Sequence, residues 1–219
     1  MEIAARINRT KYDVFRWRCE LSIPKKLALA LGIACLTGLL AQVRFLLPWS
    51  PIPVTGQTFA VLLAGVLLGR WWGGTSLAMY AGLGAAGVPW FAGWSSGVGY
   101  LVGPTGGYIL GFILAALFLG HFTDTYVRSR SFLSMLGLML FANFVLIYVP
   151  GLFHLGLWLN VVKGEPVTFI TLLGMGAIPF IAGDITKAVI AAAIARGITP
   201  KLAYNGEVDK DKWAKWRIP

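Results

Sequence analysis

The sequence predicts an all-α polytopic membrane protein with six transmembrane helices and both termini cytoplasmic, and three observations carry that expectation. Hydrophobic residues make up 57% of the 219 positions and charged residues 13%, with a mean hydropathy of +0.72, which is too apolar for a soluble domain of this length. Apolar stretches recur at lengths suited to a hydrocarbon core about 30 Å thick, which about 20 helical residues cross. The Lys and Arg residues behind the net charge of +10 gather at the two ends and in two loops, as the positive-inside rule requires. They form no basic patch on a soluble fold, so no nucleic-acid partner is expected.

In chain order, residues 1–26 form a basic cytoplasmic tail, 27–196 a six-helix membrane domain and 197–219 a polar cytoplasmic tail. The first tail mixes Arg and Lys with Tyr12, Phe15, Trp17 and Leu21. An amphipathic helix lying along anionic lipid and ending near Pro24, or a solvated tail, both fit that pattern. It does not resemble a cleavable signal peptide. Spans are expected near 27–47, 57–68, 74–87, 105–122, 132–159 and 169–195. The second and third are short and need a tight join at Gly69-Arg70-Trp71-Trp72-Gly73. Arg70, Arg128 and Arg130 then share a side with both tails, which sets the orientation in a plasma (inner) membrane. Cys19 and Cys35 offer neither a disulfide frame nor a metal site.

The last apolar stretch contains Gly183-Asp184-Ile185-Thr186-Lys187. A central Asp or Lys in a span costs about 2.5 to 3.5 kcal/mol, so such residues mark functional sites by default. Their spacing of three puts both on one helix face, able to hold a polar ligand or to pair structurally between helices. At about 1.5 Å per residue, Lys187 and Asp184 lie about 13 and 18 Å from Arg196, near the midplane.

Three turns on the outer side share a pattern: Pro53-Val54-Thr55-Gly56-Gln57, Pro104-Thr105-Gly106-Gly107-Tyr108 and Pro179-Phe180-Ile181-Ala182-Gly183-Asp184. Helix starts present unpaired N–H groups and a positive dipole end, which attract anionic or carbonyl groups. Ordinary capping by Thr55 and Thr105 is the plainer reading of each turn alone. The third loop, 88–100, is rich in Trp, Phe, Tyr and Gly and suits an aromatic lid, while Trp49, Trp90 and Trp94 also fit an interfacial belt. In the fifth span Asn143, Ile147, Gly151, His154 and Trp158 share a face, with Pro150 able to kink the helix. Asn143 is expected to bond a neighbouring helix, and His154 to be a packed histidine. In the first span Ala30, Ala34 and Gly38 form a small-residue stripe that lets another helix approach closely. Gln42 and Arg44 either snorkel or face the pocket.

The chain has no Gly-Lys-Ser or Gly-Lys-Thr, hence no P-loop, and no HExxH or GxSxG. No catalytic residue, metal site or cofactor is expected, and binding is the activity best supported.

The segments Pro51 to Gly65, Val88 to Gly93 and Gly103 to Phe112, followed by Gly183-Asp184 with Lys187, resemble the BioY family, the biotin-specific S components of energy-coupling factor (ECF) transporters. The resemblance implies a six-helix fold that binds biotin from outside and associates with a membrane coupling protein and two ATPase subunits, where ATP is used. It implies biotin contacts from Asp184, Lys187, Gln57, Phe91, Ser95, Thr105 and Tyr108, with Trp94 beside the ring. It also implies that Ala30 and Ala34 dock the coupling protein. Asp184 would accept from the ureido N–H groups, while Lys187, Gln57 or Thr105 would donate to the carbonyl or carboxylate. The chain departs from the family pattern at Gly56, Trp94 and Ser96, and its tails lie outside the match. An S component for another small vitamin and a self-sufficient secondary carrier are the rival readings.

Overall fold

The structure is a computed structural model that describes residues 2–204 and 206–209, so the expectations for residues 210–219 of the C-terminal tail lie outside the described residues. Residues 2–20 are helical (α1, Glu2–Glu20), not a solvated coil. Ser22 sits at the start of α2 (Ile23–Gln42) with Pro in its first turn, where a missing N–H costs nothing.

Helices α3 (Gln57–Leu68), α4 (Arg70–Ala85) and α6 (Gly106–Thr125) form the packed centre, with the short α5 (Val98–Val102) in the loop before α6. Their close crossing depends on glycine. A methyl at Gly65 would collide with the Ala116 carbonyl, one at Gly73 with the Gly65 backbone, and one at Gly120 with the Arg70 backbone. Across α6, Gly107 and Gly111 play the same part against the backbone around Pro150 and Ile147. Among the described residues, four helical stretches are long and apolar enough to cross a membrane: Ile23–Gln42, Gly106–Thr125, Phe132–Lys163 and Phe169–Ile198. The segments Gln57–Leu68 and Arg70–Ala85 are shorter, 12 and 16 residues.

Two long stretches are not regular helices. Between α7 (Phe132–Phe141) and α8 (Tyr148–Leu157) runs a π-helical segment, Ala142–Ile147, and a second, Trp158–Lys163, follows α8. Pro150 accounts for the first: it lacks an N–H, and its ring crowds the carbonyl one turn earlier. The expected single span 169–195 is also broken. Helix α9 (Phe169–Gly176) stops at Ala177, whose backbone leaves helical geometry (φ −136°, ψ −60°); a 3-10 turn, Ile178–Phe180, follows, and α10 (Ile181–Ile198) begins afresh. Pro179 prevents the two from merging.

Ala30 and Ala34, expected to dock the coupling protein, lie within the bundle in this structure. Both are 0% exposed, on the inward face of α2 with Thr37, Gly38 and Ala41, where α2 packs against α3 and α4. The small side chains let α2 approach its own bundle, so that face is already occupied. The exposed side of α2 carries Leu27, Leu31, Leu36 and Leu39 instead.

At the end of the bundle where α10 finishes, the segment after α10 folds back over the loop that joins α6 to α7. Arg130 and Glu207 form a fully buried ion pair at 2.6 Å, and the N–H groups of Val127 and Arg128 donate to the Asp209 carboxylate at 2.8 and 2.9 Å. Helix α1 joins the same cluster. Arg18 pairs with Asp124 at 2.6 Å, and the buried Phe15 ring lies between the guanidinium groups of Arg18 and Arg130, at 4.1 and 4.4 Å.

Candidate functional site

Three separate parts of the chain converge on one cleft. A short antiparallel pair, β1 (Arg44–Phe45) with β2 (Val54–Thr55), closes the first loop and sets Thr55 and Gln57 at the start of α3. The Thr105 carbonyl accepts the N–H groups of Tyr108 and Ile109 at the start of α6. The break before α10 places Asp184 in that helix's first turn, where the dipole favours a carboxylate. The cleft between these starts has about 560 Å³ of empty space counting its open mouth, and the centre of a water molecule reaches about 60 Å³ of it. Asp184, Lys187, Gln57, Thr105 and Tyr108 all line it, with Thr58, Tyr100, Phe112, Tyr148 and Phe180.

Asp184 is 3% exposed and saturated. Its Oδ1 accepts from Thr58 Oγ1 at 3.1 Å and faces Lys187 Nζ at 2.5 Å. Its Oδ2 accepts from Asn143 Nδ2 at 2.9 Å and from the Tyr148 hydroxyl at 2.6 Å. A carboxylate has about four acceptor positions, so none is left over. Lys187 donates a second bond to the Thr55 carbonyl at 2.9 Å, which leaves one of its three protons for the cleft. Gln57 is also engaged: its Oε1 accepts from Thr55 Oγ1 at 2.9 Å and its Nε2 donates to the Tyr80 hydroxyl at 2.6 Å. Tyr108 lines the wall while its hydroxyl donates to the Gly176 carbonyl at 2.7 Å, where α9 ends. Asn143 Oδ1 is a buried acceptor with no hydrogen-bond partner among the described residues.

The other sequence-derived residues lie elsewhere. Phe91 is 0% exposed, edge-on to Tyr80 and stacked on Tyr100 at 4.7 Å; it supports the cleft wall through Tyr100 and does not line the cleft. Ser95 is not a cleft residue either; its carbonyl accepts the Phe91 N–H at 3.0 Å. The third loop is fastened to α2. Gln42 donates to the carbonyls of Trp90 and Phe91 and accepts from the Trp94 N–H, so of its two readings Gln42 takes a third, as a loop anchor. Trp90 is buried, whereas Trp49 and Trp94 are exposed. The N-cap of α3 is Gly56 and not Thr55, and Thr105, at the start of α6, makes no side-chain cap. His154 is packed, with Nε2 2.9 Å from the Gly103 carbonyl.

Thr58, Tyr100, Phe112, Tyr148 and Phe180 were not expected in the cleft. Thr58 follows directly on the first turn motif and was within reach of the sequence pattern. Tyr148 was hidden by the π-helical segment, whose step of five residues carries the Tyr148 N–H to the Asn143 carbonyl and brings both side chains to Asp184.

Comparison with known proteins places this geometry. The family model described as the BioY family matches residues 10–204. The probable biotin transporter BioY of Methanothermobacter thermautotrophicus is 56% identical over 157 residues, covering 72% of this chain and 100% of its own length. The biotin transporter BioY of Thermotoga maritima is 36% identical over 149 residues, covering 68% and 82%. Among solved structures, the S-component for biotin from an ECF-type ABC transporter matches with a TM-score of 0.70 at 22% identity, over 80% of this chain and 93% of that one, a likeness of fold.

Proposed function

The chain belongs to the BioY family, and from that membership we propose that it binds biotin and mediates its uptake as the S component of an ECF transporter. It is then a multi-pass membrane subunit and not an enzyme. In the finer reading, six helical segments cross the plasma membrane, the two short ones as α3 and α4, with both termini cytoplasmic and the cleft opening outward. A membrane coupling protein and two ATPase subunits supply the energy, and the chain needs no cofactor of its own.

The observation that supports this most is the saturated carboxylate of Asp184 beside a lysine with a free proton. Biotin presents a ureido ring with two N–H donors and one carbonyl, an apolar thiophane and a terminal carboxylate. Lys187 has a donor ready for the carbonyl or the carboxylate. A ureido N–H reaches Asp184 by replacing Thr58 or Lys187 on Oδ1, both of which line the cleft. Asp184 therefore holds the donors in place before biotin arrives, and exchanges one of them when it binds. Tyr100, Tyr108 and Phe112 offer the apolar rings for the thiophane.

The test is equilibrium binding of biotin to the purified protein in nanodiscs, beside Asp184→Asn and Lys187→Ala, with other vitamins as competitors. Submicromolar binding weakened at least about tenfold in each variant, about 1.4 kcal/mol or more, is expected. A well-folded wild type that ignores biotin, or prefers another vitamin, removes biotin as the substrate.

A further inference from the structure

A second cleft lies at the opposite end of the bundle from the Asp184 site. It is lined by Lys11 and Asn8 of α1, by Ser131, Phe132 and Leu133 at the start of α7, and by Arg196, Thr199 and Lys201 at the end of α10. Three cations therefore meet across two helices and the segment that follows α10. Lys11 Nζ donates to the Arg196 carbonyl at 3.2 Å. Among the described residues, no carboxylate lies within ion-pair distance of Lys11, Arg196 or Lys201. Arg130, which also borders the cleft, is neutralised by Glu207. Among the described residues, no anion matches the charge of this cluster.

The remaining wall says which anion fits. Ser131, at the start of the ten-residue α7, makes no side-chain cap and lines the same cleft as the cations, so the positive end of that helix borders it, an arrangement suited to a phosphate. Beside it Leu133 is 78% exposed, and exposed apolar residues continue at Phe141 where α7 ends, at Val145 in the π-helical segment, and at Val149 and Phe153 on α8. Helix α10 packs against α7 and exposes Ile190 and Ile194 just before Arg196. Apolar tracks thus lead away from the basic cleft along both helices. A free phosphate or a nucleotide would make no use of them, whereas two acyl chains would.

We propose that this cleft holds an anionic phospholipid, with its phosphodiester against Lys11, Arg196, Lys201 and the start of α7, and its chains along α7 and α10. Basic pockets between membrane helices take such headgroups, and each Lys or Arg near an anionic surface adds to the attraction. Because Lys11 belongs to α1, the lipid also tacks that helix to the bundle. Exposed Ile7, Val14 and Trp17 on α1 then meet the membrane beside it.

Native mass spectrometry of the purified full chain with dioleoyl phosphatidylglycerol, dioleoyl phosphatidylcholine and inorganic phosphate provides the test. Phosphatidylglycerol is expected to bind at least tenfold more tightly than phosphatidylcholine, and the preference to vanish in Lys11→Gln/Arg196→Gln/Lys201→Gln. It should persist in Lys163→Gln, which removes a cation outside the cleft. Lys201→Gln alone, a change at an exposed position, should weaken phosphatidylglycerol at least threefold even if the triple variant folds poorly. Equal binding of the two lipids, or an undiminished preference in both cleft variants, overturns the proposal. Competition by inorganic phosphate as effective as by the lipid would make the cleft a free-anion site and overturn it too.

Discussion

Two buried ion pairs stand at opposite ends of this molecule and do different work. Asp184 and Lys187 lie three residues apart on one helix, border a cleft, and keep one ammonium proton unused. Arg130 and Glu207 lie 77 residues apart, with side chains 1% and 0% exposed. Arg130 spends its other donors on the carbonyls of Thr123, Pro200 and Leu202, and Glu207 accepts from the Tyr204 N–H as well. The first pair can trade partners with a small molecule. The second is closed and holds distant parts of the chain together. Buried charge alone does not single out a candidate site; a spare donor and an adjoining space are what set the first pair apart.

The contrast breaks most readily at the closed pair. Glu207→Gln leaves the Arg130 guanidinium buried without its countercharge, and removing one partner of such a pair costs about 3 kcal/mol or more. The loss should appear as faster hydrogen exchange over 199–209, with biotin affinity unchanged within about twofold. A matching fall in affinity would mean that the two ends are coupled. Next in size, Ala34→Leu forces bulk between α2 and the α3–α4 pair and should lower unfolding stability by about 1–3 kcal/mol. Full stability, with loss only of assembly with an energising module, would support the docking role of that stripe. Tyr148→Phe removes one of the four donors around Asp184 and should weaken biotin by about five- to tenfold, about 1 to 1.4 kcal/mol. Unchanged affinity would show that the carboxylate needs fewer than four.

The smallest expected effect is one of pH. Burial pushes the Glu207 carboxyl up, but hydrogen bonds from the backbone and from Arg130 outweigh it and hold the group below the usual carboxylate range. A lowered value in the folded state stabilises above the ordinary carboxylate pKa of about 4.3 and is lost as pH falls through the lowered value. Protection of 199–209 should therefore be flat above about pH 5 and decline below it, and more steeply than protection of α3 or α6.

Much of the cleft was legible because charge in an apolar stretch has few innocent explanations. Asp184 and Lys187 announced themselves by cost, and Gln57, Thr105 and Tyr108 by recurring turn residues at helix starts. Phe91 was misread because an aromatic beside glycine in a loop looks like a lid, whereas Gly84 leaves a hole on α4 that its ring fills. The alanine stripe permits close approach without saying which helix approaches, and within this chain its neighbours are α3 and α4. The Arg130–Glu207 closure had no local sign at all, since it depends on a segment returning across the end of the bundle. Asn143 was rightly taken to bond a neighbouring helix, yet Tyr148, five positions later, escaped any search at a period of 3.6.

That last case makes the site sensitive to helical pitch as well as to residue identity. A residue in an α-helix turns the following side chains by about 100°, and the π-helical segment Ala142–Ile147 carries one residue more than an α-turn would. Removing one of them restores regular pitch with Tyr148 still a single turn above Asn143, whereas regular α pitch over the same residues would rotate everything from Tyr148 onward by about a quarter turn relative to Asn143. Gly151, which makes room for the Tyr108 ring, would rotate with it. A deletion at Leu146 is therefore absorbed when the π-turn goes with it, while regular pitch without that deletion would mis-set two walls of the cleft at once without altering any side chain in it.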